Sequence, residues 1–239
     1  MSRRARWEIR GFFIVWLIFL FFRAKDPFGF LVLNTFLGYI PIELSFHIGK
    51  QRPRSGWLFW PLVLIWLVFY PNAPYLLTDL FHLSLLQPYA VSGLLRVTPH
   101  LWIYFTYMLT SAVSCAFLGF WSLNYVSHVL TARIAHDNRG VRLLVVLTLT
   151  FLTSVGVYIG RFLRIHTIYL FLNPEQFIRP LLNMWTSNLW IFVGLMTFIQ
   201  LFCYWVLHII MANNPSKLAE WLTPSKNSVT PIRDHRVFI

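Results

Sequence analysis

Residues Pro71 to Leu83 read P-N-A-P-Y-L-L-T-D-L-F-H-L and set a phenol, a carboxylate and an imidazole inside an otherwise apolar stretch. Spacings of i, i+4, i+7 and i+11 put Tyr75, Asp79, His82 and Leu86 on one helical stripe, with Leu76, Leu77, Leu80, Phe81 and Leu83 covering the remaining faces. Asn72 suits a helix N-cap, and Pro74 is tolerated in a first turn, where its missing N–H has no intrahelical partner to lose. Asp79 or His82 has the chemistry of a general base. Asp79 and His82 at i, i+3 can also reach one metal, with His100, His166 or Glu175 as further donors. Two unlike ligands at that spacing fall short of a zinc signature, so a hydrogen-bonded imidazole and no metal or other cofactor are expected.

A second constellation lies near residue 160. Thr150, Ser154, Tyr158, Arg161 and Ile165 recur at near-helical spacing, and G-R-F-L-R spans Gly160 to Arg164. Gly160 lets a neighbouring helix approach closely. Arg161 and Arg164 either snorkel toward headgroups or pair with Asp79, for which the planar guanidinium is well shaped. Glu43 and His47 form another i, i+4 pair, with Lys50 or Arg52 within reach of Glu43 at the interface.

The elements that must position these groups are membrane helices. The chain is 57% hydrophobic and 12% charged, with mean hydropathy +0.61, against about 25% charged residues in ordinary soluble domains. Apolar segments run over 11–22, 28–48, 57–70, 101–123, 142–160 and 188–212. An all-α, polytopic helix bundle of about six spans follows, its third span broken by the Pro-Asn-Ala-Pro motif. Residues 1–212 form the membrane domain, and 213–239 form a basic, proline-bearing cytoplasmic tail with no core of its own. The first segment ends in Arg23 and Lys25 without a small-residue cleavage site, which reads as an uncleaved first helix.

If all six segments cross, 14 of the 20 Lys and Arg residues fall on the side of the N-terminus; if the first does not cross, the division is 10 to 10. The positive-inside rule therefore selects six spans with both termini in the cytoplasm. The 71–83 motif and the region from Arg161 to His166 then face the same, outer side. The third segment covers only about 21 Å of a roughly 30 Å core, and irregular backbone at that depth must be buried in protein or line a wet cavity. A cavity with the motif on its wall is expected.

The loop 87–100, with Pro88, Gly93 and Pro99, reads as an exterior connection or a short surface helix. Asn173, Pro174 and Glu175 start another helix, which Pro180 breaks. Asn138-Arg139-Gly140 reads as a turn. The formal charge of +12 and pI near 10.2 come from short basic clusters between apolar runs, which suits anionic lipid and topology and not nucleic acid. Cys115 and Cys203 lie in apolar helices without ligand spacing. No G-x-G-x-x-G, P-loop, G-x-S-x-G or H-E-x-x-H pattern occurs.

N-A-P-Y-x-x-T-D-x-x-H-L at Asn72 to Leu83, together with G-R-F-L-R at Gly160 to Arg164, resembles the domain of unknown function 1361 family of bacterial multi-pass membrane proteins, over roughly residues 12–212. The resemblance implies several helices in a bacterial inner membrane and carries no established activity. An N-S-W-D-like segment commonly follows the arginine motif in that family. Here the chain reads Ile165-His166-Thr167-Ile168-Tyr169, so an acidic member of the cluster is missing unless Glu175 replaces it.

Three functions fit these residues. Asn72, Tyr75, Asp79, His82, Arg161 and Arg164 can bind, or pass across the membrane, an anionic lipid headgroup or small anion. Asp79 or His82 can serve as the base of a membrane-embedded enzyme acting on a lipid-linked substrate. The cluster can instead fasten the third and fifth spans of a non-catalytic subunit that meets a membrane protein partner or anionic lipid.

Overall fold

Apolar runs capped by polar residues fold into eight helices among the described residues, which in this computed structural model are 1–49, 53, 55–135, 138–163 and 174–212. Helix α1 spans Arg3–Arg23, and the Ser2 side chain caps it by accepting from the Ala5 amide. Helix α2 (Phe30–Ser45) carries Pro41 in its interior, and α3 (Gly56–Phe69) carries Pro61. A short α4 (Asn72–Asp79) tightens into a 3-10 segment, Leu80–Leu86. The 36-residue α5 (Pro99–Ile134) starts with proline at its first turn. Helix α6 (Arg139–Tyr158) passes into a π-turn, Ile159–Leu163, and α7 (Pro174–Asn183) and α8 (Ser187–Ala212) follow.

The protein is an all-α helical membrane bundle. Among the described residues, four helical stretches are long and apolar enough to cross a bilayer: Gly56–Leu86, Pro99–Ile134, Arg139–Leu163 and Ser187–Ile210, with Phe30–Ser45 as a shorter apolar helix. Large apolar side chains stay exposed along them, such as Trp57, Leu64, Leu144, Leu195 and Phe198, as expected where lipid tails are the solvent.

Helix α5 is the central post, packing against α2, α4, α6 and α8. Small buried residues make this close packing achievable: Ser111, Ala112, Cys115, Ala116, Gly119 and Ser122 repeat on its inner faces. It runs well past the expected 101–123 because Val126, Val129 and Leu130 continue into a core shared with Phe59, Trp66 and Leu149. At that end Arg133 lies over the Phe59 ring, its Cζ 3.7 Å from the centroid, and donates to the carbonyls of Gly49 and Pro53. One side chain thereby ties the α2–α3 connection to α5.

Two local expectations change, and a third, given as two alternatives, loses one of them. Asn138 is an N-cap and not part of a free turn, accepting from the amides of Gly140 and Val141 at the start of α6. Pro180 does not break its helix, since α7 continues to Asn183. The connection 87–98 forms a small antiparallel hairpin with a Tyr89–Leu95 bridge instead of a surface helix. The tail 213–239 and Asn173 lie outside the described residues.

Candidate functional site

The interruption at Pro71 is a joint in a continuing helix. Tyr70 and Pro71 both keep right-handed helical dihedrals, so the chain turns on without unwinding. Proline at 71 and 74 removes two backbone donors, and the ladder repairs itself locally: the Ala73 amide donates to Tyr70, and the Asn72 side chain donates to the Phe69 carbonyl at 2.9 Å. Asn72 is therefore not the N-cap acceptor that its place in the sequence suggests. It satisfies the carbonyl that Ala73 has left.

Three glycines from three helices seat this segment. A Cβ added at Gly38 of α2 would lie 2.8 Å from Leu76 Cδ1, one at Gly119 of α5 2.7 Å from Ala73 Cβ, and one at Gly156 of α6 2.6 Å from Pro71 Cγ. Each spacing is shorter than carbon atoms tolerate, so the absence of a side chain is what lets α4 lie in the bundle. Ala73, Pro74, Leu76, Thr78 and Asp79 are buried. The irregular, cavity-lining backbone expected here is replaced by tight helical packing, because the joint loses hydrogen bonds without losing helical dihedrals.

Asp79 ends α4 at 1% exposure. The Arg161 guanidinium donates from Nη1 to Oδ1 at 3.1 Å, and Asn34 of α2 donates to Oδ2 at 2.8 Å. Arg161 also donates from Nη2 to the Thr78 carbonyl at 3.1 Å, and its Nη1 stands 3.5 Å from the Tyr75 hydroxyl. The buried carboxylate thus has a counter-charge and a neutral donor, the two things an ion withdrawn from water needs. Between its snorkelling and pairing readings, Arg161 takes pairing.

His82 sits at the edge of this node. Its Nδ1 lies 3.0 Å from the Asp79 carbonyl oxygen and 3.6 Å from Asp79 Oδ1, while its ring rests on Phe30 at 4.4 Å between centroids. With Nδ1 protonated, the imidazole donates to that carbonyl. His82 is 28% and Arg161 18% exposed in their side chains, against 2% for Asp79. The node is closed at the carboxylate and open at the two nitrogenous side chains. Among the described residues no three His, Cys, Asp or Glu gather as metal ligands, and His100 packs on Tyr104 instead. Arg164 and His166 lie outside the described residues, as does the Glu175 side chain.

The stripe drawn along the fifth segment divides. Thr150 and Ser154 face α8, where Gln200 donates to the Ser154 hydroxyl at 2.8 Å and Thr197 does so at 2.9 Å. Tyr158 likewise packs with Phe192 of α8, whereas Arg161 turns toward α4. The π-turn at Ile159–Leu163 accounts for the divergence, because its wider turn shifts the register of everything after Tyr158.

Glu43 finds its cation in α1. Arg10 donates to it from Nε at 3.0 Å and from Nη2, Tyr39 adds a hydroxyl donor at 2.6 Å, and His47 Nδ1 lies 3.9 Å away. The expected partners Lys50 and Arg52 lie outside the described residues. Asn34 and Arg10 are the site residues that sequence reading missed. Asn34 carries a signal in hindsight, since a lone amide in the run L-V-L-N-T-F has to find a partner in a membrane helix.

No curated protein and no solved structure matches the chain. Residues 33–203, which hold Asn34, Asp79, His82 and Arg161, match the family described as protein of unknown function (DUF1361), and the chain belongs to that family.

Proposed function

We propose that this chain is a binding protein of a bacterial inner membrane, crossing six times with both termini in the cytoplasm. Arg161 and His82 present an outward-facing site to an anionic group, either a lipid phosphate or a small free anion that the protein holds or passes on. The basic-residue division of 14 to 6 supports that orientation. The observation that carries the binding reading is the two-sided setting of Arg161. Asp79 and the Thr78 carbonyl hold the guanidinium from the buried side, yet the side chain keeps 18% of its surface open. Among the described residues its Nε–H makes no protein hydrogen bond. A guanidinium held in orientation from the buried side, with part of its surface exposed, is suited to an oxyanion. Asp79, buried with both oxygens occupied, serves as a positioning residue and is poorly placed to act as a base on a lipid-linked substrate.

Scanning fluorimetry of the purified protein in detergent tests this, with inorganic phosphate, phosphatidylglycerol and phosphatidylcholine as probes. A ligand at about one hundred times its Kd stabilises by about 2.7 kcal/mol, roughly 5 to 10 °C for a chain of this length. Wild type shifts with phosphatidylglycerol if the group is a lipid phosphate, and with inorganic phosphate as well if a free anion suffices. Arg161→Lys, which keeps the charge and loses the planar fork, and His82→Gln should both reduce the shift. Equal shifts in all three proteins would sink the reading.

One observation favours a second reading, a non-catalytic membrane subunit in which the node is a fastener for partner assembly: both Asp79 oxygens are taken by other helices. Asp79→Asn separates the two. Loss of the protein from membranes supports the fastener, and normal accumulation with a lost ligand shift supports the site.

A further inference from the structure

The 3-10 segment that leaves the Asp79 node leads into a short hairpin with an unusual composition for an exposed connection. Residues 83–98 contain one charged side chain, Arg96, among Leu85, Tyr89, Val91, Leu94, Leu95 and Val97. These six side chains are all exposed, Val91 and Val97 almost completely, at 106% and 87%. The backbone is nonetheless ordered by its own bonds: Ala90 donates to Leu94, Arg96 to Pro88, and Gly93 to Ala90, with Gly93 at φ +80° making the turn. A hairpin that holds its shape while turning its apolar side chains outward is built for an apolar or half-apolar surrounding.

Where the hairpin starts and ends says what that surrounding is. It connects Leu86, the last residue of one membrane-crossing stretch, to Pro99, the first of another. Exposed apolar side chains continue on both flanks, Phe81 before it and Trp102 and Ile103 after it. The loop is therefore continuous along the chain with surface that faces lipid, and it sits at the bilayer boundary. Its reach decides its posture. Four residues from Pro88 to the Ser92 tip span about 13 Å at about 3.3 Å each, while the headgroup layer is only about 5 to 8 Å thick on each side. Standing upright, the hairpin would carry Val91 and Leu94 through the headgroups into water. Lying along the interface, it keeps them at the upper acyl boundary. Backbone groups on its outer edges lack partners within the hairpin and so keep it from sinking into hydrocarbon, where neither water nor headgroups could satisfy them. Tyr89 and Arg96 have the amphipathic and snorkelling side chains that suit this depth.

We infer that the hairpin of residues 88–97 is an interfacial anchor, lying in the headgroup and upper acyl layer of the leaflet that borders the Asp79–Arg161 node. It grips lipid independently of whatever Arg161 binds, and it pins the end of the 3-10 segment that carries His82.

Site-directed spin labelling in vesicles of phosphatidylethanolamine and phosphatidylglycerol tests this. Val91→Cys, Leu94→Cys and Val97→Cys are labelled singly in full-length protein carrying Cys203→Ser; Cys115 is buried. Collision with dissolved oxygen is compared with collision with a water-soluble nickel chelate, using Phe117→Cys on the exposed flank of α5 as the lipid-facing reference. Oxygen collisions exceeding nickel collisions several-fold at positions 91 and 94, by a smaller margin than at 117, is the expected result. Adding Val91→Asp and Leu94→Asp together should raise nickel access to the label at position 97. Nickel-dominated collisions at 91 and 94 place the tip in water and overturn the proposal. Labels screened from both reagents reveal a protein cover, a partner or a second copy, and overturn it equally.

Discussion

Arg161→Met is the sharpest perturbation of the node, because it removes one charge of a pair and leaves Asp79, 1% exposed, without its counter-ion. Breaking a buried pair from one side costs about 3 to 5 kcal/mol. Arg161 is itself 18% exposed, so water entering the vacated space rehydrates the carboxylate in part, and Asn34 keeps its bond to Oδ2. Both facts place the cost at the low end, about 3 kcal/mol, which corresponds to a fall in Tm of roughly 6 to 12 °C for a chain of this length. Adding Asp79→Asn removes the orphaned charge while keeping the side-chain shape. The two substitutions together should therefore cost less than the sum of their separate costs by at least about 1.5 kcal/mol, a coupling typical of residues in contact. Thermal unfolding of the four proteins of the cycle, purified in one detergent, measures this. If Arg161→Met unfolds within 2 °C of wild type, taken as roughly 1 kcal/mol or less, or if the two single costs add to the double cost within about 0.5 kcal/mol, then the two charges do not depend on each other and the account of the node is wrong.

Two further outcomes follow from the packing. Gly156→Ala places a carbon 2.6 Å from Pro71 Cγ, and should cost about 1 to 3 kcal/mol in the same unfolding measurement; Gly11→Ala, mid-helix in α1 with nothing within 4 Å of the added carbon, is the control and should leave stability unchanged or raise it by up to about 1 kcal/mol. Tyr70→Phe deletes a buried hydroxyl that has no hydrogen-bond partner among the described residues, so it should leave stability unchanged or raise it by up to about 1 kcal/mol. A loss beyond about 1 kcal/mol would mean that the hydroxyl is satisfied in the membrane.

Much of this architecture is legible in the sequence because hydrophobic runs and polar exceptions carry strong signals in a membrane chain. The helical segments follow from the apolar runs, and an arginine partner for Asp79 follows from the cost of a lone charge near hydrocarbon, with Arg161 and Arg164 left as alternatives until the structure places Arg161 on it. What escapes the sequence is set by geometry between elements. Asn34 lies 45 positions from Asp79, and nothing in local spacing selects it over other polar residues as the second donor. The π-turn adds a partial turn within a helix and sends Tyr158 and Arg161 to different neighbours, which a 3.6-residue period cannot anticipate. Asn72 has the residue type of a cap but lies one position inside α4, where the preceding carbonyl competes successfully for its side chain. Asn138 shows the converse: what looks like a turn in a basic stretch is a cap, because α6 begins at the very next residue.

The joint at Tyr70 and Pro71 also bears on how the protein meets bilayers of unequal thickness. Helix α3 is about 21 Å long and is connected to α4 through continuous helical dihedrals with a depleted hydrogen-bond ladder. Bending stiffness in a helix resides largely in that ladder. A short helix answers a change of hydrocarbon thickness by tilting, and a proline-bearing joint is where a helix bends most readily. Close approaches at Gly38 and Gly119 fix α4, Gly156 fixes Pro71, and α3 is itself held to α5 by the Trp66–Ser122 bond and the core around Phe59. The alignment of Asp79 with Arg161 is thus set by protein packing on both sides of the joint.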